Sequence, residues 1–305
     1  MTLTAELKYL KWQDLYEKER PFQLFIDLPP DAEDRRVSNL VFERHKVPIV
    51  DIRSHHDEFS LDTHGFMIHR HRTSSENFKD REAVESLYLP EVEKILRANL
   101  DGVDGCFVFN WRLRNTEPEL PGEIDLNDPT DFRRPATHLH VDQSPASVLN
   151  RIKLQFPEKA DQLLQGRVRV VKYEHHSTPM CQANPLSRSV WRPLVNEISD
   201  WPLALCDGRT VDPVDLVETD HIQRKYTGPT MYMMHNPKHK FYFYGGQGKE
   251  DVLIFKNFDS LDGVCPYAPH AAFRDPVLRP RGEPRESIEV RCLVFTDPKA
   301  LGAGC

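Results

Sequence analysis

The chain has 305 residues, 39% of them hydrophobic and 29% charged, with a net charge of −7. That length allows one large β-rich core or two smaller ones. The acidic balance argues against a dedicated nucleic-acid binder, which carries a basic field, and no run of about twenty apolar residues is present to span a membrane.

Met1 to Trp12 interleaves Glu6, Lys8 and Lys11 with apolar residues as a short amphipathic start. It has no signal-peptide core, so the expected location is cytoplasmic. A Pro29-Pro30 turn and the apolar piece Val47-Pro48-Ile49-Val50 follow. Asp80 to Asn99 reads as a helix, because Val84, Leu87, Leu89, Val92, Ile95, Leu96 and Leu100 follow helical spacing, with Pro90 dividing it or opening a new first turn. Gly105 to Trp111 reads as a buried strand, and Thr137 to Asp142 as another. Pro145 to Phe156 reads as a helix, with Ser144 as N-cap and Pro145 in its first position. Val168–Tyr173, Thr230–Met234, Phe241–Tyr244, Val252–Phe255 and Ser287–Phe295 carry the β-branched and aromatic residues of strands.

These elements predict a mainly β protein with flanking helices, built on an antiparallel sheet folded on itself. No linker divides the chain, so one domain over 1–305 is expected. Its residues 1–100 form a helix-rich part packed on a core over 101–298. The six cysteines are scattered without a C-x-x-C pair and read as structural thiols.

The chemistry concentrates in Thr137-His138-Leu139-His140-Val141-Asp142. Residues two apart on a strand share a face, so His140 and Asp142 point the same way. One more histidine completes two imidazoles and a carboxylate, the donor set of non-haem Fe(II) oxygenases, which leaves coordination positions open. His138 shares that face, but a His-x-His site of cupin type needs a glutamate shortly after, and Val141 to Pro145 contains none. His138 therefore reads as a supporting or surface residue. Candidates for the distal ligand are His175, His176, His221, His235, His239 and His270. His235 and His239 have the spacing of a helical zinc pair, but the intervening Asn236-Pro237 makes a turn. His270 is preferred because Arg285, Ser287 and Arg291 follow on a strand face of their own. Arginine grips a carboxylate through two parallel charge-assisted hydrogen bonds, which suits an acidic co-substrate. A jelly-roll module that binds an anion without catalysis and a zinc hydrolase are the competing readings.

At this point the chain resembles the Fe(II)/2-oxoglutarate-dependent oxygenases, and within them the fungal AsaB-type hydroxylase/desaturase family, which includes gibberellin desaturase-like proteins and relatives of a cephem methoxylase component. The matching pieces are His138–Ser144, Trp191–Leu194, Pro202–Asp207, Val252–Ser260, Pro269–Phe273 and Pro284–Phe295, with weaker similarity at His64–Phe66 and Tyr88–Val92. The resemblance implies a double-stranded β-helix (jelly-roll, cupin-like) core. It implies His140, Asp142 and His270 as iron ligands, with 2-oxoglutarate and O2 as co-substrates. Arg285 and Ser287 would hold the far carboxylate of 2-oxoglutarate. The Arg285-x5-Arg291 spacing also resembles that of AlkB-type oxygenases, which places Arg291 at the near carboxylate. The implied reaction is hydroxylation or desaturation of a C–H bond in a small secondary metabolite, such as a polyketide aryl-methyl group. Trp191 and Arg192 match a motif without an assigned role. The polar stretch 174–189 is an insertion relative to the family pattern, a lid or a substrate-selecting loop.

Overall fold

The computed structural model describes all residues except 118–124, 126–127, 171–188, 196, 199, 224–226, 275–283 and 297–305. Of the stretch 174–189, read above as an insertion, residues 174–188, and with them His175 and His176, lie outside the described residues.

Two curled sheets dominate. One has nine strands in the order Thr2–Leu10, Phe42–Asp51, Phe241–Phe243, Leu203–Cys206, His270–Ala272, His140–Val141, Thr227–Met233, Leu216–Ile222 and Phe22–Leu24. The other has seven, running Phe258–Asp259, Arg167–Val170, Glu286–Thr296, Ser189–Pro193, Asp251–Phe255 and Phe66–Arg70, with Gly105–Asn115 paired along Glu286–Thr296. The fold is mainly β, a double-stranded β-helix with helices on the outside. The strand from Gly105 runs on to Asn115, past the expected end at Trp111, because Arg112 and Arg114 continue the pairing opposite Glu289 and Ser287.

Residues 1–100 carry the long helical run 81–99 and also four strands. Thr2–Leu10 alternates strictly, burying Leu3, Ala5, Leu7 and Tyr9 and exposing Thr2, Thr4 and Glu6. That is the period of a strand, and it pairs antiparallel with Phe42–Asp51. The long helix of this region occupies 81–99. Asp80 caps it by accepting from the N–H groups of Glu82 and Ala83, and it widens into one π turn, Val84–Tyr88, just before Pro90. A proline cannot donate to the carbonyl four residues back, so the ladder is interrupted there. Val84, Tyr88, Val92, Ile95 and Leu96 pack on Val190, Val252, Ile254, Ile288 and Val290, one face of the seven-stranded sheet. The alternate residues Trp191, Leu253 and Phe255 turn to the other face and meet Leu205 of the nine-stranded sheet.

The nine-stranded sheet bends far enough for Lys8 to bridge His138 and Leu10 to bridge Met234. The first strand of the chain thus lies beside the segment that carries His140, and the Leu139 N–H donates to the Lys8 carbonyl at 2.9 Å. Leu139 is buried with Leu7, Ala204, Phe241 and Ala271. Because its neighbours in sequence face the opposite way, packing Leu139 inward fixes His140 outward, toward the space between the sheets.

Candidate metal centre

His140 lies on the two-residue strand His140–Val141, and His270 opens the strand His270–Ala272 and pairs directly with it. Asp142 follows where the first of these strands ends. One ligating atom from each of the three residues lies within 4.8 Å of the others. His140 Nε2 is 3.7 Å from Asp142 Oδ1, and His270 Nε2 is 3.9 Å from Asp142 Oδ2. Both rings are oriented by backbone. His140 Nδ1 lies 2.8 Å from the His138 carbonyl and His270 Nδ1 lies 3.1 Å from the Ala268 carbonyl. A carbonyl only accepts, so each Nδ1 carries the proton and each Nε2 presents its lone pair toward Asp142. Imidazoles fixed in this way are the form in which histidine binds a metal.

The electrostatics favour an ionised Asp142 and a neutral His270. Burial opposes ionisation of Asp142, but the Arg291 guanidinium, with the two imidazoles, holds its carboxyl well below the usual carboxylate range. Burial, followed by the neighbouring His140, pushes His270 down to about 3. The result is one anion and a neutral ring, a donor set suited to a divalent cation with positions left for other ligands.

Asn257 completes the support of Asp142. Its Oδ1 accepts from the Asp142 N–H at 3.2 Å, and its Nδ2 donates to Asp142 Oδ2 at 3.3 Å. Arg291 donates to Asp142 Oδ1, and to Asn110 Oδ1 at 3.0 Å. The sequence reading missed both asparagines. They approach from the other sheet, and no local spacing marks them.

Arg285 and Ser287 are buried on the seven-stranded side, 2% and 0% exposed. The Arg285 guanidinium donates to the Trp201 carbonyl and lies over the Trp191 ring, 5.2 Å from its centre. Burial, with Arg114 beside it, pushes its pKa down to about 9. Arg285 Nε, Ser287 Oγ and Arg291 Nε are buried without a hydrogen-bond partner among the described residues. Each such donor costs about 1–3 kcal/mol when left unsatisfied. An acidic ligand accepting from them removes that cost, so the residues present fit a dicarboxylate co-substrate.

Several other candidates separate from the triad. His138 is half-buried, with its ring 3.9 Å from that of Phe42. His221 Nε2 lies 3.2 Å from the Tyr232 hydroxyl, and His239 Nε2 lies 3.0 Å from Asp215. His235 stacks on His45 at 3.7 Å. Trp191 faces the space between the sheets beneath Arg285. Arg192 faces the opposite way and is consumed by Tyr88, the carbonyls of His71 and Lys249, and His71 Nδ1. Its part is to tie the helix side of the sheet together.

A family model described as "Oxidoreductase/YMDC permease-like domain" matches residues 7–295. Among the described residues no helix is long and apolar enough to cross a membrane. The chain is similar to the Fe(II)/2-oxoglutarate-dependent dioxygenase nvfI of Aspergillus novofumigatus, 33% identical over 85% of this chain and 86% of that protein. It is also similar to the hydroxylase/desaturase CTB9 of Cercospora beticola, 31% identical over 83% of this chain and 77% of the other. The solved structure of the iron and alpha-ketoglutarate-dependent endoperoxidase NvfI superposes with a TM-score of 0.79 at 29% identity, covering 97% of this chain and 98% of that one. With matches that span nearly its whole length, the chain belongs to the fungal hydroxylase/desaturase family of Fe(II)/2-oxoglutarate-dependent dioxygenases.

Proposed function

We propose that His140, Asp142 and His270 hold Fe(II), that Arg285 and Ser287 bind the far carboxylate of 2-oxoglutarate, and that Arg291 serves its near end. The observation that carries this reading is the convergence of the three ligating atoms within 4.8 Å, with both Nδ1 atoms tied to backbone carbonyls. Bound iron, with 2-oxoglutarate and O2, supplies an oxidant strong enough for an unactivated C–H bond.

The chain's own residues do the rest. The strand pair His140–His270 sets the spacing of the two imidazoles. Asn257 and Arg291 keep Asp142 ionised and oriented. Arg285, over Trp191, provides a dry cationic socket in which a charge-assisted bond is stronger than in water. The substrate is a small secondary metabolite, oxidised by hydroxylation or desaturation, with a polyketide aryl-methyl group as the first class to test. The relatives named hydroxylase/desaturase support that type of reaction.

We read the chain as one catalytic unit over 1–305, because its first strand pairs into the sheet that carries the triad. We place it in the cytosol with no nucleic-acid partner. The free thiols of Cys106, Cys206, Cys265 and Cys292 suit a reducing compartment, and the charge of −7 does not suit a polyanion.

The test is metal content after anaerobic reconstitution with Fe(II). About one iron per chain is expected, falling to background in His140→Ala and His270→Ala variants that keep the wild-type circular dichroism spectrum. A wild-type protein that holds no iron would instead favour an anion-binding module without catalysis.

A further inference from the structure

We propose that the dipeptide Lys256-Asn257 is a positioning element that sets the distance between Asp142 and His270 and thereby tunes metal affinity. The inference rests on the reading of the triad as a metal site.

Asn257 grips Asp142 at two points, backbone N–H and carboxylate, at 3.2 and 3.3 Å. Two bonds from one planar amide fix both the end of the His140–Val141 strand and the orientation of the carboxylate. A single bond would leave the side chain free to rotate.

Lys256 supports the other ligand through backbone. Its carbonyl accepts from the Ala268 N–H at 2.9 Å, and the Ala268 carbonyl accepts from His270 Nδ1 at 3.1 Å. One dipeptide therefore stands behind two of the three ligating residues.

Its foundation is ionic. Lys256 is 0% exposed. Its Nζ reaches Asp62 at 2.6 Å, Asp259 at 2.5 Å and the Cys265 carbonyl at 3.1 Å. Arg167 closes the network on Asp259 at 2.7 Å and Asp62 at 2.9 Å. The Lys256 N–H donates to the Gly65 carbonyl at 2.7 Å. A lysine held at both its backbone and its ammonium end cannot shift. Asn257 follows it directly and is presented to Asp142 from a fixed base. A buried ion network contributes little net stability on average. Its stiffness is what the neighbouring site uses.

The experiment measures Co(II) affinity by absorbance titration of the metal-free full chain, alongside its melting temperature. Asn257→Ala removes both bonds, and Asn257→Leu removes them while filling the space. Both are expected to weaken Co(II) binding about 10- to 100-fold, the usual effect of deleting a partner of a metal ligand, while the metal-free protein stays folded with a lowered melting temperature, since the Asp142 N–H loses its partner. Wild-type affinity in either folded variant would overturn the positioning role. Absence of Co(II) binding by the wild-type chain overturns the metal reading itself, so the two failures are distinguishable.

Discussion

Arg285 and Arg291 sit on the same strand face but answer to different partners, and mutation should separate them. Arg285 has no carboxylate within hydrogen-bonding reach among the described residues, whereas Arg291 already bonds Asp142. Arg285→Ala should therefore raise the 2-oxoglutarate concentration needed for half-maximal succinate release by about 10- to 100-fold, the worth of one or two charge-assisted hydrogen bonds, and leave the iron requirement nearly unchanged. An unchanged 2-oxoglutarate requirement would move the clamp to Arg291. Histidines around the site make a second prediction. Burial is the main reason that His138 and His221 are both pushed down to about 4. In the unfolded chain a histidine takes its proton near about 6.5, so between those values the unfolded state binds more protons. The stability these neutral rings contribute is present above about 6.5 and is lost as the pH falls through about 4. The urea midpoint of the metal-free protein should fall between about pH 7 and about pH 5, and His221→Gln should flatten that slope. A midpoint flat in the wild type would contradict the assignment. At this scale a spacing of two along a strand set His140 and Asp142 on one face in the sequence, and the fold brings both together with His270. Asn257 lies in the matching piece Val252–Ser260, but its role was not legible, since its bond to Asp142 spans 115 positions.

Short elements carry the site, and their placement depends on residues that face away from it. His140–Val141 is a strand of two residues, too short to hold itself. Leu139, wholly buried, anchors it from behind. Leu139→Ala should destabilise the protein by about 2–5 kcal/mol, the range for a buried leucine, as read from urea unfolding. The helix Pro145–Gln155 follows at once, and its Ser144 side chain accepts from the Ser147 N–H. Cap, proline and apolar spacing were all present in the sequence, so this helix matched expectation to within a residue. The opening strand did not. Leu3, Ala5, Leu7 and Tyr9 alternate cleanly, yet the interleaved Glu6, Lys8 and Lys11 fit an amphipathic segment of either period. The helix over 81–99 was legible from its spacing. Its π turn follows from Pro90, though the position of the turn depends on how Tyr88 packs beneath Arg192.

The whole molecule brings together segments that local pattern cannot connect. The first strand closes against the strand of His140, and the last long strand delivers two arginines from the opposite sheet. Mainly β character could be read from the many short β-branched runs. The jelly-roll closure rested on resemblance to a family, because pairings such as His140 with His270 leave no trace in the sequence between them. On the proposed assignment, the closed arrangement provides a space between sheets where metal, co-substrate and substrate would meet away from bulk water. The most direct measurement is succinate release by the purified chain given Fe(II) and 2-oxoglutarate, in parallel with the Asp142→Ala variant in chloride-free buffer. Iron- and 2-oxoglutarate-dependent succinate from the wild type, with none above background from Asp142→Ala, is the expected result. Equal release by the two proteins would contradict the assignment of Asp142, and with it the triad.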